Sequence, residues 1–270
     1  MEEPKQILTP EEVSRLAVMA EAELANEYLY QILEVGQTML QCGGEVSRVE
    51  ESIRRMCLAF GAERADVFTI TSSIVVTVYA HKFGTLTQTR RISGTQFDLH
   101  RLELLNALSR RICAEHLGPE ETARALEEVQ AVPQYGPVAQ MGIDALASAS
   151  FSLFFGGSFA DVVVSGCIAV VLKIMDLFIK RIEAGGGASV LLCSCLGGLL
   201  SALSVRLGLG DNVDMISIGN IMLLIPGVAL TNSLRDMFGG NTLSGIMRFI
   251  EALLQALTIA FGFALAARLM

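Results

Sequence analysis

The second half of the chain holds five apolar runs in close succession, at about 138–156, 160–180, 188–207, 214–233 and 247–269. Each approaches the roughly 20 residues a helix needs to cross a bilayer. Five such runs with only short joints argue against a buried soluble core and for membrane spans. The fourth run is the irregular one. Pro226-Gly227 falls inside the apolar stretch Met215–Leu230, where proline removes a donor and clashes with the preceding turn. Membrane helices keep such breaks where the freed backbone groups line a cavity or meet neighbouring helices, and transporters build binding sites from them.

Charge divides the chain at the same place. Residues 1–137 hold 20 Asp/Glu and 13 Lys/Arg and the remainder hold 8 and 7, so the net charge of −8 divides as −7 and −1. The front is charged like a soluble domain and the back is nearly charge-free, as a membrane domain must be. Val132-Pro133-Gln134-Tyr135-Gly136-Pro137 has the punctuation of a linker. We therefore expect an α+β domain over 1–135, followed by an all-α bundle of five transmembrane helices over 136–270. The N-terminus is acidic and lacks the apolar core of a signal peptide, which places the front domain in the cytoplasm. With five spans the C-terminus then lies on the far side. Lys180, Arg181, Arg235 and Arg248 fall on the cytoplasmic side of this topology, in keeping with the positive-inside rule.

Within the front domain, Thr9-Pro10-Glu11-Glu12 has the form of a capped helix start, and the helix runs to about Leu40 before Gly43-Gly44. The spacing of Val46, Val49, Ile53, Cys57 and Phe60 predicts a second helix, ended at Gly61. Glu50–Arg54 and Glu51–Arg55 are favourable i,i+4 pairs along it. Residues 65–80 and 84–92 are β-rich, joined by a hairpin at Gly84. Helices then run from Gln96 to Gly118-Pro119 and from Glu120 to Gln130, so that helices pack on a small antiparallel sheet.

Polar residues in the apolar half are the functional candidates. Asp144 lies in the first run, and Lys173 and Asp176 lie one turn apart in the second. They form an internal ion pair that fixes helix packing, or they stand on a substrate or proton path. Asp161 suits a helix N-terminus. Phe155-Gly156-Gly157-Ser158 and Phe238-Gly239-Gly240-Asn241 are two glycine caps or the echo of an inverted repeat. Gly185-Gly186-Gly187 reads as a flexible joint. The six cysteines lack CxxC spacing and read as reduced thiols. His81, His100 and His116 show no metal-ligand spacing with them, and no nucleophile–base–orienter set is apparent. No GxxxxGK[ST] loop occurs, so ATP hydrolysis by this chain is not expected. We expect no metal, no cofactor, no catalytic residue and no nucleic-acid partner.

Three stretches together resemble a known family: Gly43-Gly44-Glu45-Val46-Ser47-Arg48-Val49-Glu50, FGGS-x-x-D at 155–161, and PG-x-x-x-x-N-x-x-RD-x-x-x-G at 226–240 with Ser244-Gly245, Arg248 and Glu251. They are similar to the threonine/serine exporter (ThrE) family. Full-length members carry a second membrane module, so the resemblance implies the larger subunit of the split form, completed by a separate small membrane protein. It implies export of threonine and serine, or of succinate and similar C4-dicarboxylates, across the inner membrane of a bacterium.

On this reading Asn220, Asn232 and the carbonyls freed by Pro226-Gly227 supply dipoles to a small carboxylate. Arg235 is a carboxylate partner that Asp236 beside it can neutralise. Asp144, Asp176 or Glu251 carries the coupling proton. Glu45, Arg48 and Glu50 are salt bridges at a helix start or gate the cytoplasmic mouth. The alternatives are a membrane-anchored hydrolase, sensor or scaffold acting through the front domain, and a channel built from several copies. One five-span chain is too small to enclose a path alone, so a homo- or hetero-oligomer in the lipid bilayer is expected.

Overall fold

The middle strand of the front unit shows why this part folds as it does. In Ser73–Ala80, the residues Ile74, Val76, Val78 and Ala80 are buried while their neighbours are more exposed. That alternation presents one apolar sheet face to covering helices. The computed structural model describes residues 10–94, 96–181 and 186–269, and side chains from Val18 onward apart from Lys180. The cap at Thr9, the N-terminal leader and Gly185 lie outside the described residues.

Two compact units are present. The first comprises the described residues up to Val132 together with Asn232–Met247; the second comprises Pro133–Thr231 and the described residues from Arg248 on. In the first, α1 (Pro10–Gln41) and α2 (Val46–Ala59) precede β1 (Arg64–Ile70), β2 (Ser73–Ala80) and β3 (Gly84–Arg91), followed by α3 (Leu99–Glu115) and α4 (Pro119–Ala131). The sheet is an antiparallel meander in the order β1-β2-β3, with Ile70 opposite Ser73 and Ala80 opposite Gly84. Leu29, Ile32, Leu33 and Met39 of α1, Val46, Val49, Ile53 and Met56 of α2, and Leu105 of α3 close over Ile74 and Val76. Each such side chain contributes about 1.5–3 kcal/mol by leaving water. The antiparallel α+β arrangement agrees with the sequence reading, but the 65–80 stretch is two strands, turned at Thr71-Ser72.

Of the two helical pairs expected in α2, Glu51–Arg55 forms and Glu50–Arg54 does not. Glu51 takes both neighbouring arginines, Arg55 Nε at 2.6 Å and Arg54 Nη2 at 2.5 Å. The sequence pairing of Glu50 with Arg54 does not form, because Glu50 turns to β1 and accepts the Thr69 amide at 2.7 Å.

The second unit is helical: α5 (Pro137–Phe154), α6 (Phe159–Arg181), α7 (Gly186–Arg206), α8 (Val213–Leu224), the first turn of α9 (Gly227–Phe238), and most of α10 (Thr242–Leu269). Among the described residues, three helices are long and apolar enough to cross a membrane: α6, α7 and α10. The pair α8 and α9, bent by 54° at its break, passes the same test together and makes a fourth candidate. The five-span expectation is therefore met for three to four spans by length and composition. α5 falls outside because its 18 residues include Gln140, Asp144, Ser148, Ser150 and Ser152.

Small residues bring these helices close. A side chain at Gly219 of α8 would meet the Ser165 hydroxyl and come within 2.7 Å of the Ser148 carbonyl. Gly156 and Gly240 both adopt positive φ and close their helices with a six-residue back-bond, Gly157 N–H to Ser152 C=O and Asn241 N–H to Asp236 C=O, each at 2.9 Å. The two FGG motifs are thus matching glycine caps. Asp161 does more than start α6. Buried, it accepts from the amides of Ser158 (3.0 Å), Asp211 (2.8 Å) and Asn212 (3.0 Å), fastening the α7–α8 loop to the α5–α6 turn.

Candidate functional site

Proline at 226 decides the local geometry of the break. It supplies no amide, and it drives the preceding residue out of the helical region. Ile225 accordingly has ψ of 128°, and α8 ends at Leu224. The Leu224 carbonyl, which a continuous helix would engage, accepts Gln255 Nε2 of α10 at 3.1 Å.

Beside Leu224 lies a cavity of about 250 Å³ within the helical unit. Asp144 of α5, Lys173 and Asp176 of α6, Ser189 of α7 and Gln255 of α10 provide its polar groups, and Leu172, Cys193 and Leu223 are among its apolar walls. Lys173 Nζ stands 3.5 Å from Asp144 Oδ2, and the two side chains remain 19% and 31% exposed. Asp176 Oδ1 accepts from Ser189 Oγ at 3.1 Å. One ammonium, two carboxylates, a hydroxyl and an amide therefore face a small, partly apolar space. A carboxylate that entered could compete with Asp144 for Lys173, and an ammonium could meet Asp176.

A second cluster belongs to the front unit. Asn232, Arg235 and Asp236 lie on α9, and they meet the turn that opens α2. Asn232 Nδ2 donates to the Gly43 carbonyl at 3.2 Å, Arg235 Nη1 stands 3.5 Å from Glu45 Oε2, and the Val46 amide donates to Asp236 Oδ1 at 3.4 Å. Glu45 makes no side-chain cap for α2, so the buried Asp236 supplies the negative charge that a helix N-terminus favours. Ser244, in the first turn of α10, donates to the Thr69 carbonyl at 3.1 Å. Burial pushes the Glu50 carboxyl above its usual range and the nearby Asp236 adds to this, against the lowering bond from Thr69.

Two separated stretches of the sequence thus become one contact: the GGEV turn receives the N-x-x-RD segment. A model of the family described as "Putative threonine/serine exporter" matches residues 31–270. The chain belongs to this threonine/serine exporter family. It is 25% identical over 234 residues to the "Probable succinate transporter subunit YjjP" of Klebsiella aerogenes, covering 84% of this chain and 88% of that one. To the protein of the same name from Escherichia coli K12 it is 23% identical over 240 residues, covering 87% and 91%. No solved structure matches. This member of the exporter family is a membrane protein with several candidate spans.

In this family member the polar residues picked from the sequence separate into groups. Asp144, Lys173 and Asp176 share the cavity, with Lys173 reaching across to α5. Glu45, Glu50, Asn232, Arg235 and Asp236 gather at the α2 start. Arg48 is exposed and approaches Glu45 only to 4.0 Å. Asn220 is fully buried in helix packing, donating to the Ile216 carbonyl and accepting from Ser148 Oγ, and it does not line the cavity. Arg248 is buried near the start of α10, and Glu251 is exposed one turn further on. Ser189 and Gln255 are cavity groups that sequence reasoning missed. Neither carries a charge, and a lone serine or glutamine in an apolar run gives no signal of what it faces.

Proposed function

We propose that the chain is the larger subunit of a two-component secondary transporter. It exports a small carboxylate, threonine or serine or a succinate-type C4-dicarboxylate, across the cytoplasmic membrane, and a separate small membrane subunit completes the path. The observation that carries this reading is the Lys173–Asp144 pair, held open to a cavity that also reaches the last residues of α8 before the break. Charges in an apolar bundle are costly and are kept where they act. A substrate carboxylate replaces Asp144 at Lys173. Ser189 and Gln255 supply neutral hydrogen bonds at an apolar wall.

In this reading α5, α6, α7, the broken pair α8–α9, and α10 are the five spans, and residues 1–135 form a cytoplasmic domain. The pairing of Glu45 with Arg235 and of the α2 start with Asp236 supports a gating role for that domain, since α9 begins at the break. A hydrolase or sensor anchored by the spans is supported less, because Asp144, Lys173 and Asp176 line a cavity rather than dry packing. Vesicles holding this chain and its partner, loaded with labelled threonine or succinate, test the proposal. Efflux above that of empty vesicles is expected, and equal efflux overturns it.

A further inference from the structure

The front unit has a hollow that the transport reading leaves unused. It lies between α2 and α3, with a volume of about 610 Å³, a size typical of small-ligand sites. α2 contributes Ser47, Arg48, Glu51 and Arg55, a stripe at helical spacing beside its buried Val46–Val49–Ile53 face. α3 contributes Asn106, Arg110 and Cys113 at positions i, i+4 and i+7. Three guanidiniums therefore face one hollow that contains a single carboxylate.

That carboxylate is committed already, since Glu51 holds both Arg54 and Arg55 at 2.5 and 2.6 Å. Arg48 is 82% exposed and reaches Glu45 only at 4.0 Å, and Arg110 makes no ion pair among the described residues. This concentration of positive charge stands in the half of the sequence that holds 20 acidic and 13 basic residues. Guanidiniums from two helices that face the same space repel one another, and an anion between them reverses the sign of that interaction. Their planar forks match carboxylate or phosphate oxygens two at a time.

We propose that this hollow is a binding site for a small, multiply charged anion, held by Arg48, Arg55 and Arg110 and separate from the transport cavity. Its effector chemistry is that of a di-anionic carboxylate or phosphate compound. The site stands on the geometry of α2 and α3 alone and survives if the transport reading fails.

Cys113 offers a reporter, because its half-buried thiol lines the hollow. The full-length protein is treated with a thiol-alkylating reagent, and modification of the Cys113 peptide is followed by mass spectrometry with succinate, inorganic phosphate or ATP present. Concentration-dependent protection is expected from at least one probe. Protection by succinate alone assigns a carboxylate ligand, and protection by phosphate or ATP assigns a phosphate one. The double variant R48A/R110A, altered at two exposed side chains, raises the protecting concentration at least about tenfold, as loss of a charge-assisted contact requires. E51Q, which releases Arg54 and Arg55, lowers it; a misfolded variant would not give that opposite sign. The proposal is overturned if no probe protects Cys113, or if R48A/R110A is protected at the same concentration as the unaltered protein.

Discussion

Arg235 and Asp236 are adjacent in the sequence and differ in what they hold. The Arg235 side chain is 61% exposed, so its pairing with Glu45 is screened by water and R235A is expected to cost less than about 1 kcal/mol. Asp236 is buried at the α2 start, and D236A leaves a helix-initial amide without its acceptor, at about 1–3 kcal/mol. Denaturant unfolding of the purified variants in detergent separates the two. Glu50 gives a pH dependence of definite sign. Its carboxyl is raised by burial, so the folded state holds the proton more tightly than the unfolded chain. Stability is therefore greatest below the ordinary carboxylate range and falls as pH rises through the unfolded and then the raised folded value, and it is level above that. E50Q keeps an acceptor for the Thr69 amide and removes the charge. It is expected to flatten this slope and to be at least as stable as the unaltered protein at pH 7, as unfolding across a pH series will reveal. Lys173 and Asp144 are intermediate in exposure, and K173M is expected to cost about 1–3 kcal/mol by leaving Asp144 without its partner. The double variant D144N/K173M should recover most of that stability, which a thermal-unfolding cycle of the two singles and the double will measure.

At the scale of elements, the close approach of α8 to α5 and α6 depends on Gly219. A methyl group there would crowd the Ser148 carbonyl and the Ser165 hydroxyl, so G219A is expected to destabilise by about 1–3 kcal/mol through overpacking. A thermal shift measured against the neutral control G227A checks this, because nothing lies near a side chain added at Gly227. The elements were legible in the sequence where a pattern was long: α2 and α3 follow helical spacing, α6, α7 and α10 follow apolar runs of about bilayer length, and the break at Pro226 follows from proline chemistry alone. The β1–β2 turn was not legible. Thr71-Ser72 joins two runs rich in Val, Ile and Thr, and carries neither the glycine nor the asparagine by which hairpin turns announce themselves. The inward turn of Glu50 was equally hidden, because helical spacing places Arg54 in reach and says nothing of a strand edge nearby.

For the whole molecule, charge and hydropathy separated an α+β front from an apolar helical back, and the described structure has both. Spacing could not disclose that Asn232–Met247 would fold with the front residues, since that depends on contacts between α2 and α9 made across about 190 residues of chain. Nor could it assemble the cavity, whose polar groups come from four separate helices. The central claim is that this cavity carries a small carboxylate past Lys173. Its most direct test is efflux of labelled threonine and succinate from vesicles containing the chain and its partner subunit, compared with K173M and D144N/K173M assembled to the same level. The account predicts efflux of at least one substrate from the unaltered pair and loss to background in both variants, including the double variant whose stability is restored. Efflux from K173M equal to that of the unaltered pair, or no efflux beyond empty vesicles for either substrate, would contradict it.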